Sequence, residues 1–343
     1  MIKDLTKFLR LVAPKLYHEV LLSFRQGVLL LQSDHKAILT PAAPFNHDFS
    51  KVGSAKNVLQ FLSTPDDPTL ILQDIDSSIN IHEEHLARSW ESLPEALFNL
   101  AFRALPFVFK NYTTSTNTHC VCIEPKGDSR FPNSQTRAVA CDNTRAIQIF
   151  SPEKLVATRT LINDSSLRSI KKIGLKPQTF FRNGSMLKVT FQDSPVLFFD
   201  QQAFPETIDT YPSYQHVFSR FGHDGTILEV LRKKFRAYLS RAKPIFTNGL
   251  EVRMLETSPD IHELRTYIYD DGQEVPANEE PFPHMWLVRK DPEVTSLHCN
   301  RAYLLDVLAA ATSNTIRLQV THSRDPILLW ASDILAVIMP MSR

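Results

Sequence analysis

Glycine is scarce in this chain, with nine residues in 343. No Gly-rich run offers the backbone amides that cradle phosphates, no Gly-x-Ser-x-Gly elbow presents a nucleophile, and no paired-Asp motif would hold magnesium. Cysteine is also sparse. Cys120, Cys122, Cys141 and Cys299 are too few and too scattered for a disulfide scaffold and suit a reducing cytoplasm. No apolar run approaches the ~20 residues that a membrane-spanning helix needs. The opening MIKDLTKFLRLVAPKL places charges where a signal peptide requires an unbroken apolar segment. Neither sign of charge dominates, because 38 Lys and Arg offset 37 Asp and Glu for a net +1. The distribution of charge is therefore more informative than its sum.

Two short strings suggest metal chemistry and both fall short of it. His82-Glu83-Glu84-His85 spaces its histidines at i, i+3, whereas a zinc protease helix needs i, i+4 with a further ligand, so a solvated turn is expected. Cys120-x-Cys122 is followed by no second pair at zinc spacing and reads as buried structural cysteine. No enzyme, metal or cofactor is expected.

Apolar periodicity marks six helices, at 3–15, 51–63, 91–110, 153–172, 227–243 and 299–312. The third opens on Ser92 and Pro94 and the fourth on Ser151-Pro152-Glu153, a capping residue followed by proline. In the fifth, Leu228, Leu231, Phe235 and Leu239 form the apolar face, opposite Arg232, Arg236 and Lys243. Strand-like runs lie between the helices: Val28–Gln32, Thr69–Gln73, Val121–Glu124, Met186–Phe191, Leu250–Met254 and Thr315–Val320. Asn183-Gly184 and Asn248-Gly249 are type I′ hairpin signals. Helix-then-strands recurs about six times, which points to an internally repeated α+β architecture. Taken in pairs, the units give domains at 1–88, 89–218 and 219–343 with no Gly/Ser-rich linker between them.

Charge segregates onto the helices. The six windows hold 20 of the 38 basic residues and 7 of the 37 acidic ones, a net of +13 against −12 for the remainder. Lys3, Lys7 and Arg10 fall at i, i+4, i+7, and the fifth helix carries Arg232, Lys233, Lys234, Arg236, Arg241 and Lys243 against Glu229 alone. Any one basic helix is ordinary solvated surface, but segregation over several suits a surface that meets a polyanion.

The end of the chain resembles a known family. Asn300-Arg301-Ala302-Tyr303-Leu304-Leu305-Asp306 leads through Thr315–Val320 to Asp325-Pro326-Ile327-Leu328-Leu329 and a closing Val337-Ile338-Met339-Pro340-Met341. This is similar to the C-terminal domain of the bacterial DNA polymerase III beta subunits, the DNA sliding clamps, which close on a hydrophobic-hydrophobic-Met-Pro-Met run. Arg137–Ala146 followed by Ser151-Pro152-Glu153, and Phe204-Pro205 through Tyr211-Pro212-Ser213-Tyr214, resemble segments of the family's second domain. Residues 1–88 agree only in the order of elements. Three departures mark a divergent member: a short first domain, Asn143-Thr144 where the family has Gly-His, and no basic residue in 111–118.

The resemblance implies an α+β DNA clamp fold of three similar domains, each of two helix-plus-sheet units, with helices lining a central pore. It implies a cytoplasmic head-to-tail homodimer ring at the bacterial replication fork. Such a ring holds double-stranded DNA without reading sequence, and it binds the replicative polymerase and clamp loader through short peptides. The DNA-facing residues would be Lys3, Lys7, Arg10, Lys51, Lys56, Arg103, Lys154, Arg159, Arg168, Lys171, Lys172, Arg232, Lys233, Arg236 and Lys243. The partner-peptide cleft would use Cys141, Asn143, Thr144, Arg145, Ala146, Pro212, His216, Val217, Val337, Ile338, Met339, Pro340 and Met341, a Met-rich and adaptable apolar set. Tyr238 and Leu239 would sit at the dimer interface. The alternative is a clamp-fold adaptor or decoy that binds polymerase or loader peptides without encircling DNA.

Overall fold

The computed structural model describes residues 2–340 apart from short segments, the longest being 42–48, 64–71, 75–88, 110–118, 206–210, 219–224 and 242–248. His82–His85 and most of the expected strand Thr69–Gln73 lie outside the described residues.

Among the described residues, six α-helices stand in the expected order, each shorter than its sequence window. They are α1 (Ile2–Val12), α2 (Ala55–Ser63), α3 (Glu95–Ala104), α4 (Asp164–Ile173), α5 (Arg232–Arg241) and α6 (Arg301–Ala310). The trimmed starts of α2 to α6 contain strands. Glu91–Leu93, with Ser92 in it, is β6, so the helix begins only after Pro94. Ser151 is the last residue of β9 (Arg145–Ser151), and Ser151-Pro152-Glu153 opens no helix. The Ser151 hydroxyl accepts the Glu153 amide at 3.2 Å, which forms a turn, and the Leu155 amide then donates to Thr136 Oγ1 at 2.9 Å instead of to a helical carbonyl. The true N-cap of α4 is Asn163, whose side chain accepts from the Ser165 amide at 3.0 Å. Likewise Leu228 and Leu231 belong to β14 (Thr226–Leu231), not to the apolar face of α5.

The expected strands at Val28–Gln32, Met186–Phe191 and Thr315–Val320 are β2, β12 and β20 with the same bounds. The hairpin at Asn183 turns one residue later than expected. Asn183 pairs with Met186, so the turn is Gly184-Ser185, with Gly184 at φ 56°, while the Asn183 amide group donates to Ser89 O at 2.7 Å. Gly249 is the first residue of β15 (Gly249–Ser258), and Asn248 lies outside the described residues.

The chain divides into two compact units that are discontinuous in sequence. Unit 1 is 1–98 with 161–207, and unit 2 is 99–160 with 208–343. Unit 1 is built on a sheet containing β1 (Glu19–Arg25), β2, β3 (Lys36–Pro41), β4 (Phe49–Ser54), β5 (Gln73–Asp74), β6, β11 (Pro177–Asn183), β12 and β13 (Ser194–Asp200). Its order is β5-β4-β1-β2-β3-β13-β12-β11-β6. Helix α1 packs on α2 and α4 within this unit. Phe98 of α3 stacks on Phe180 of β11 with centroids 3.8 Å apart, and both rings are buried. Truncating either to Ala costs about 3–5 kcal/mol.

Unit 2 carries β7 (Cys120–Glu124), β8 (Thr136–Cys141), β9, β22 (Ile334–Ile338), β21 (Ile327–Ala331), β20, β14 and β18 (Met285–Arg289), in that spatial order. A smaller sheet runs β17 (Gln273–Pro276), β16 (Ile261–Asp270), β15 and β19 (Ser296–Asn300). The repeat expected from the sequence is thereby visible. Strands β4, β6, β14 and β19 each run into the helix that follows, as does β10 (Thr160–Asn163) into α4, and antiparallel hairpin trios such as β11-β12-β13 and β20-β21-β22 come next.

Candidate functional site

The expected cleft residues come from the β8–β9 turn and the chain end. Strand β22 pairs with β9 so that Val337 lies opposite Ala146 and Ile338 opposite Arg145. The Met339 amide then donates to Thr144 O at 2.8 Å, fixing the last described residues against the turn. Asp142 shapes that turn: its Oδ1 accepts from the Thr144 amide (2.8 Å), the Thr144 hydroxyl (2.6 Å) and the Arg145 amide (2.9 Å). Asn143 and Thr144 are left exposed at the tip, and Met339 is 45% exposed beside them. Cys141, Ala146, Val337 and Ile338 are buried beneath. The result is a small rim of amide, hydroxyl and thioether over an apolar floor. Pro340 is half-buried, and Pro212, His216, Val217 and Met341 lie outside the described residues.

Arg145 does not belong to that rim. Only 6% exposed, it donates Nε to Asp142 (3.1 Å), Nη1 to Asp306 (2.6 Å) and Nη2 to Pro106 O (2.5 Å). Its guanidinium also lies 4.1 Å from the Tyr303 ring centroid and 4.9 Å from that of Phe107. Each of its three guanidinium nitrogens has a partner, so the residue holds α6 and the segment after α3 to the turn.

Toward the opposite end of β8 from the turn lies a buried polar cluster that the sequence did not suggest. Glu124 accepts from Arg137 (2.7 Å) and the Tyr214 hydroxyl (2.5 Å) and pairs with Arg159 at 3.2 Å. Burial pushes its carboxyl up, but the hydrogen bonds from Tyr214 and Arg137 and the charges of Arg137 and Arg159 outweigh that and leave it below its usual range. Tyr211 donates to Val139 O at 3.1 Å. Burial pushes the Cys141 thiol up to about 11 and the Cys122 thiol up to about 12, so both are inert neutral groups near pH 7. All four cysteines are buried thiols.

The basic residues divide into two groups. Arg10 and Lys56 in α1 and α2, Lys171 and Lys172 in α4, and Lys233, Lys234, Arg236 and Arg241 in α5 are exposed. Burial and the neighbouring charge of Arg168 lower the pKa of Lys171. Others are tied into the fold. Buried Arg232 donates to Leu308 O (2.9 Å) and Ser313 O (2.6 Å), and Arg103 donates to Ala310 O (2.7 Å) and pairs with Asp333. Both thus cap the C-terminal carbonyls of α6, where a cation is favoured. Lys7, though exposed, donates to Ile173 O at 2.7 Å and does the same for α4. Arg168 pairs with Asp164 one turn back.

Several expected positions need correction. Arg232 faces the interior, not a wet face. Lys51 is on strand β4, and Lys154 and Arg159 are in the irregular segment before α4, where Arg159 donates to Cys122 Sγ at 3.2 Å. The side chain of Lys3 and all of Lys243 lie outside the described residues. Tyr238 and Leu239, expected at an interface, are 5% and 0% exposed within unit 2, where Tyr238 packs on Phe282 at 5.3 Å.

No helix among the described residues is long and apolar enough to cross a membrane, and no group of His, Cys, Asp and Glu among them is placed to hold a metal. No protein-family model and no curated protein matches the sequence. Solved structures match it over its full length. The sliding clamp (DNA polymerase III subunit beta) of Bartonella birtlesii, solved with griselimycin bound, superposes with a TM-score of 0.67 at 15% identity and covers 100% of this chain and 97% of that one. The DNA polymerase sliding clamp of Bacillus subtilis gives 0.66 at 14% identity, covering 100% and 98%. The DNA polymerase III beta subunit of Thermotoga maritima gives 0.62 at 13% identity, covering 100% and 98%. The chain has the fold of the bacterial DNA polymerase III beta-subunit sliding clamps.

Proposed function

We propose that this protein is a non-enzymatic DNA sliding clamp, a cytoplasmic homodimer ring that encircles duplex DNA and tethers the replicative polymerase to it. The observation that carries the reading is the fold match over the whole chain, from its first helix to its Met-Pro end. The recurrence of strand, helix and hairpin trio supports three domains of two units each, at 1–88, 89–218 and 219–343.

Exposed Lys and Arg on α1, α2, α4 and α5 supply the surface for duplex phosphates. Phosphate contacts carry no sequence information and are individually weak, so a ring held by topology slides while it stays bound. The exposed Met339 and the Asn143-Thr144 tip, over the buried Ala146 and Val337, would take an apolar anchor of a polymerase or loader peptide. Apolar contact with a thioether tolerates several anchors, which suits a site shared by more than one partner.

The test is solution mass by light scattering over a dilution series, followed by retention on closed and linearised circular DNA. A species near twice the 39.1 kDa chain mass that stays on closed circles and runs off linear DNA is expected. A monomer at all concentrations that is not retained would overturn this reading in favour of an adaptor or decoy that binds partner peptides alone.

A further inference from the structure

We propose that the half-exposed face of the large sheet in unit 2 is a second docking surface, which takes an extended acidic segment of a partner protein. A pocket of about 940 Å³ opens on this face, bounded on one side by the 130–134 loop. It is separate from the Asn143, Thr144 and Met339 rim, none of which lines it.

Strand registers build the floor. Leu335, Trp330, Arg317 and Glu229 line it and belong to one transverse row that runs from Gln148 to Trp286 across six strands. Such a row presents its side chains together on one face. Trp330 is half-buried and Trp286 is 53% exposed at the sheet edge. The Phe131 and Phe150 rings, stacked at 4.2 Å, form the apolar wall. An exposed tryptophan one strand beyond an aromatic-lined hollow is the kind of feature that anchors partner side chains.

Charge decides the class of occupant. Arg317 stands between Trp330 and Glu229 with its side chain 48% exposed. It donates Nε to Glu229 at 2.6 Å, and its two terminal NH₂ groups make no further contact among the described residues. Arg289 and Arg130, the latter held by Asp128 at 2.8 Å, also line the pocket. Its two acids are both engaged by arginine, Glu229 by Arg317 and Asp333 by Arg103. A carboxylate set between apolar side chains fits this arrangement, because it adds a second partner to Arg317 while its neighbours cover the rings. A phosphate backbone fits less well, since Glu229 and Asp333 would lie beneath it. The bulge in the β14–β18 pairing between Ile227 and Leu228 disfavours strand addition at the sheet edge, so the segment would lie across the face.

The probe is a fluorescein-labelled peptide that alternates leucine with aspartate around one phenylalanine, followed by anisotropy on the full chain. Its lysine-for-aspartate counterpart and labelled oligothymidine serve as controls. The acidic peptide should bind, the lysine peptide should not, and Arg317→Glu should weaken binding by about tenfold or more. Arg289→Glu should act in the same direction. Both arginines are exposed, so these variants should keep the native circular dichroism spectrum. No binding, equal binding of the lysine peptide, oligothymidine binding that depends on the same arginines, or a folded Arg317→Glu chain with undiminished affinity would each overturn the proposal. None of these results depends on whether the chain forms a ring.

Discussion

The Arg145 guanidinium donates to the Asp306 carboxylate at 2.6 Å across 161 positions of sequence, and in doing so joins the β8–β9 turn to helix α6. Asp142 holds the same guanidinium from within the turn at 3.1 Å. Removing the cation leaves Asp142 and Asp306 facing each other without it. Arg145→Met should therefore cost about 1–3 kcal/mol, because the two acids it leaves without a donor are only partly buried. Chemical denaturation reads this directly. A variant that unfolds within about 0.5 kcal/mol of the parent would show the network to be dispensable.

Retention on DNA should follow the exposed cations and not the buried ones. Lys233→Glu with Arg236→Glu places two acids on the solvated side of α5 and should weaken DNA retention with little loss of stability. Fewer phosphates neutralised also means a shallower dependence on salt. Arg232→Ala should do the opposite. It leaves Leu308 O and Ser313 O without their donor and destabilises the chain by about 1–3 kcal/mol. Binding to a duplex at several salt concentrations, beside a thermal melt, separates the two.

These paired cases show how much of the charge pattern was legible. The sequence correctly marked basic residues as concentrated on helices, but it assigned them all one purpose. Lys7, Arg103 and Arg232 cap the carboxyl ends of neighbouring helices, a role set by which helix end arrives beside them. Periodicity found each helix because one apolar face must be buried, yet it overran the starts. A strand that runs straight into a helix, as at Leu231-Arg232, leaves no break in the apolar pattern to read. Likewise Ser151-Pro152 has the composition of a helix cap, and only the distant Thr136 hydroxyl, which takes the Leu155 amide, reveals that no helix follows. The Tyr-rich segment at 211–214 carries part of the family resemblance, but its attachment to Glu124 and Val139 depends on pairings that no local pattern encodes. For the same reason Tyr238 and Leu239 belong to the core: of the expected face only Phe235 and Leu239 are buried helix positions, and Phe282, which packs on Phe235 and Tyr238, is remote in sequence.

Met339 should separate binding from folding. Its side chain is 45% exposed, and its contribution to structure runs through its backbone amide, which any residue but proline retains. Met339→Asp should lower affinity for a polymerase-type peptide by about tenfold while leaving the melting temperature within a few degrees of the parent. Equal peptide affinity in the two chains would remove Met339 from the proposed cleft. Val337→Asp makes the contrast, because a carboxylate at a 1% exposed position should unfold the chain.

Acid should loosen the cluster around Glu124 before most of the fold. The hydrogen bonds from Tyr214 and Arg137 and the charges of Arg137 and Arg159 keep its native carboxyl below its usual range despite burial, so the native state prefers the ion. Stability from this preference is fully present above the ordinary carboxylate value and is lost as pH falls through the lowered one. Glu124→Gln removes the charge at every pH. At pH 7 it should therefore cost about 2 kcal/mol, since it weakens hydrogen bonds to two arginines. Toward pH 3 the gap to the parent should close as the parent's own carboxyl protonates. Tyr214→Phe removes one donor and keeps the charge, so its smaller penalty should persist over much of the same range. Unfolding midpoints of the three chains measured from pH 7 to pH 3 give the comparison. A Glu124→Gln penalty that stayed constant with pH would mean that the carboxylate acts there by shape and not by charge.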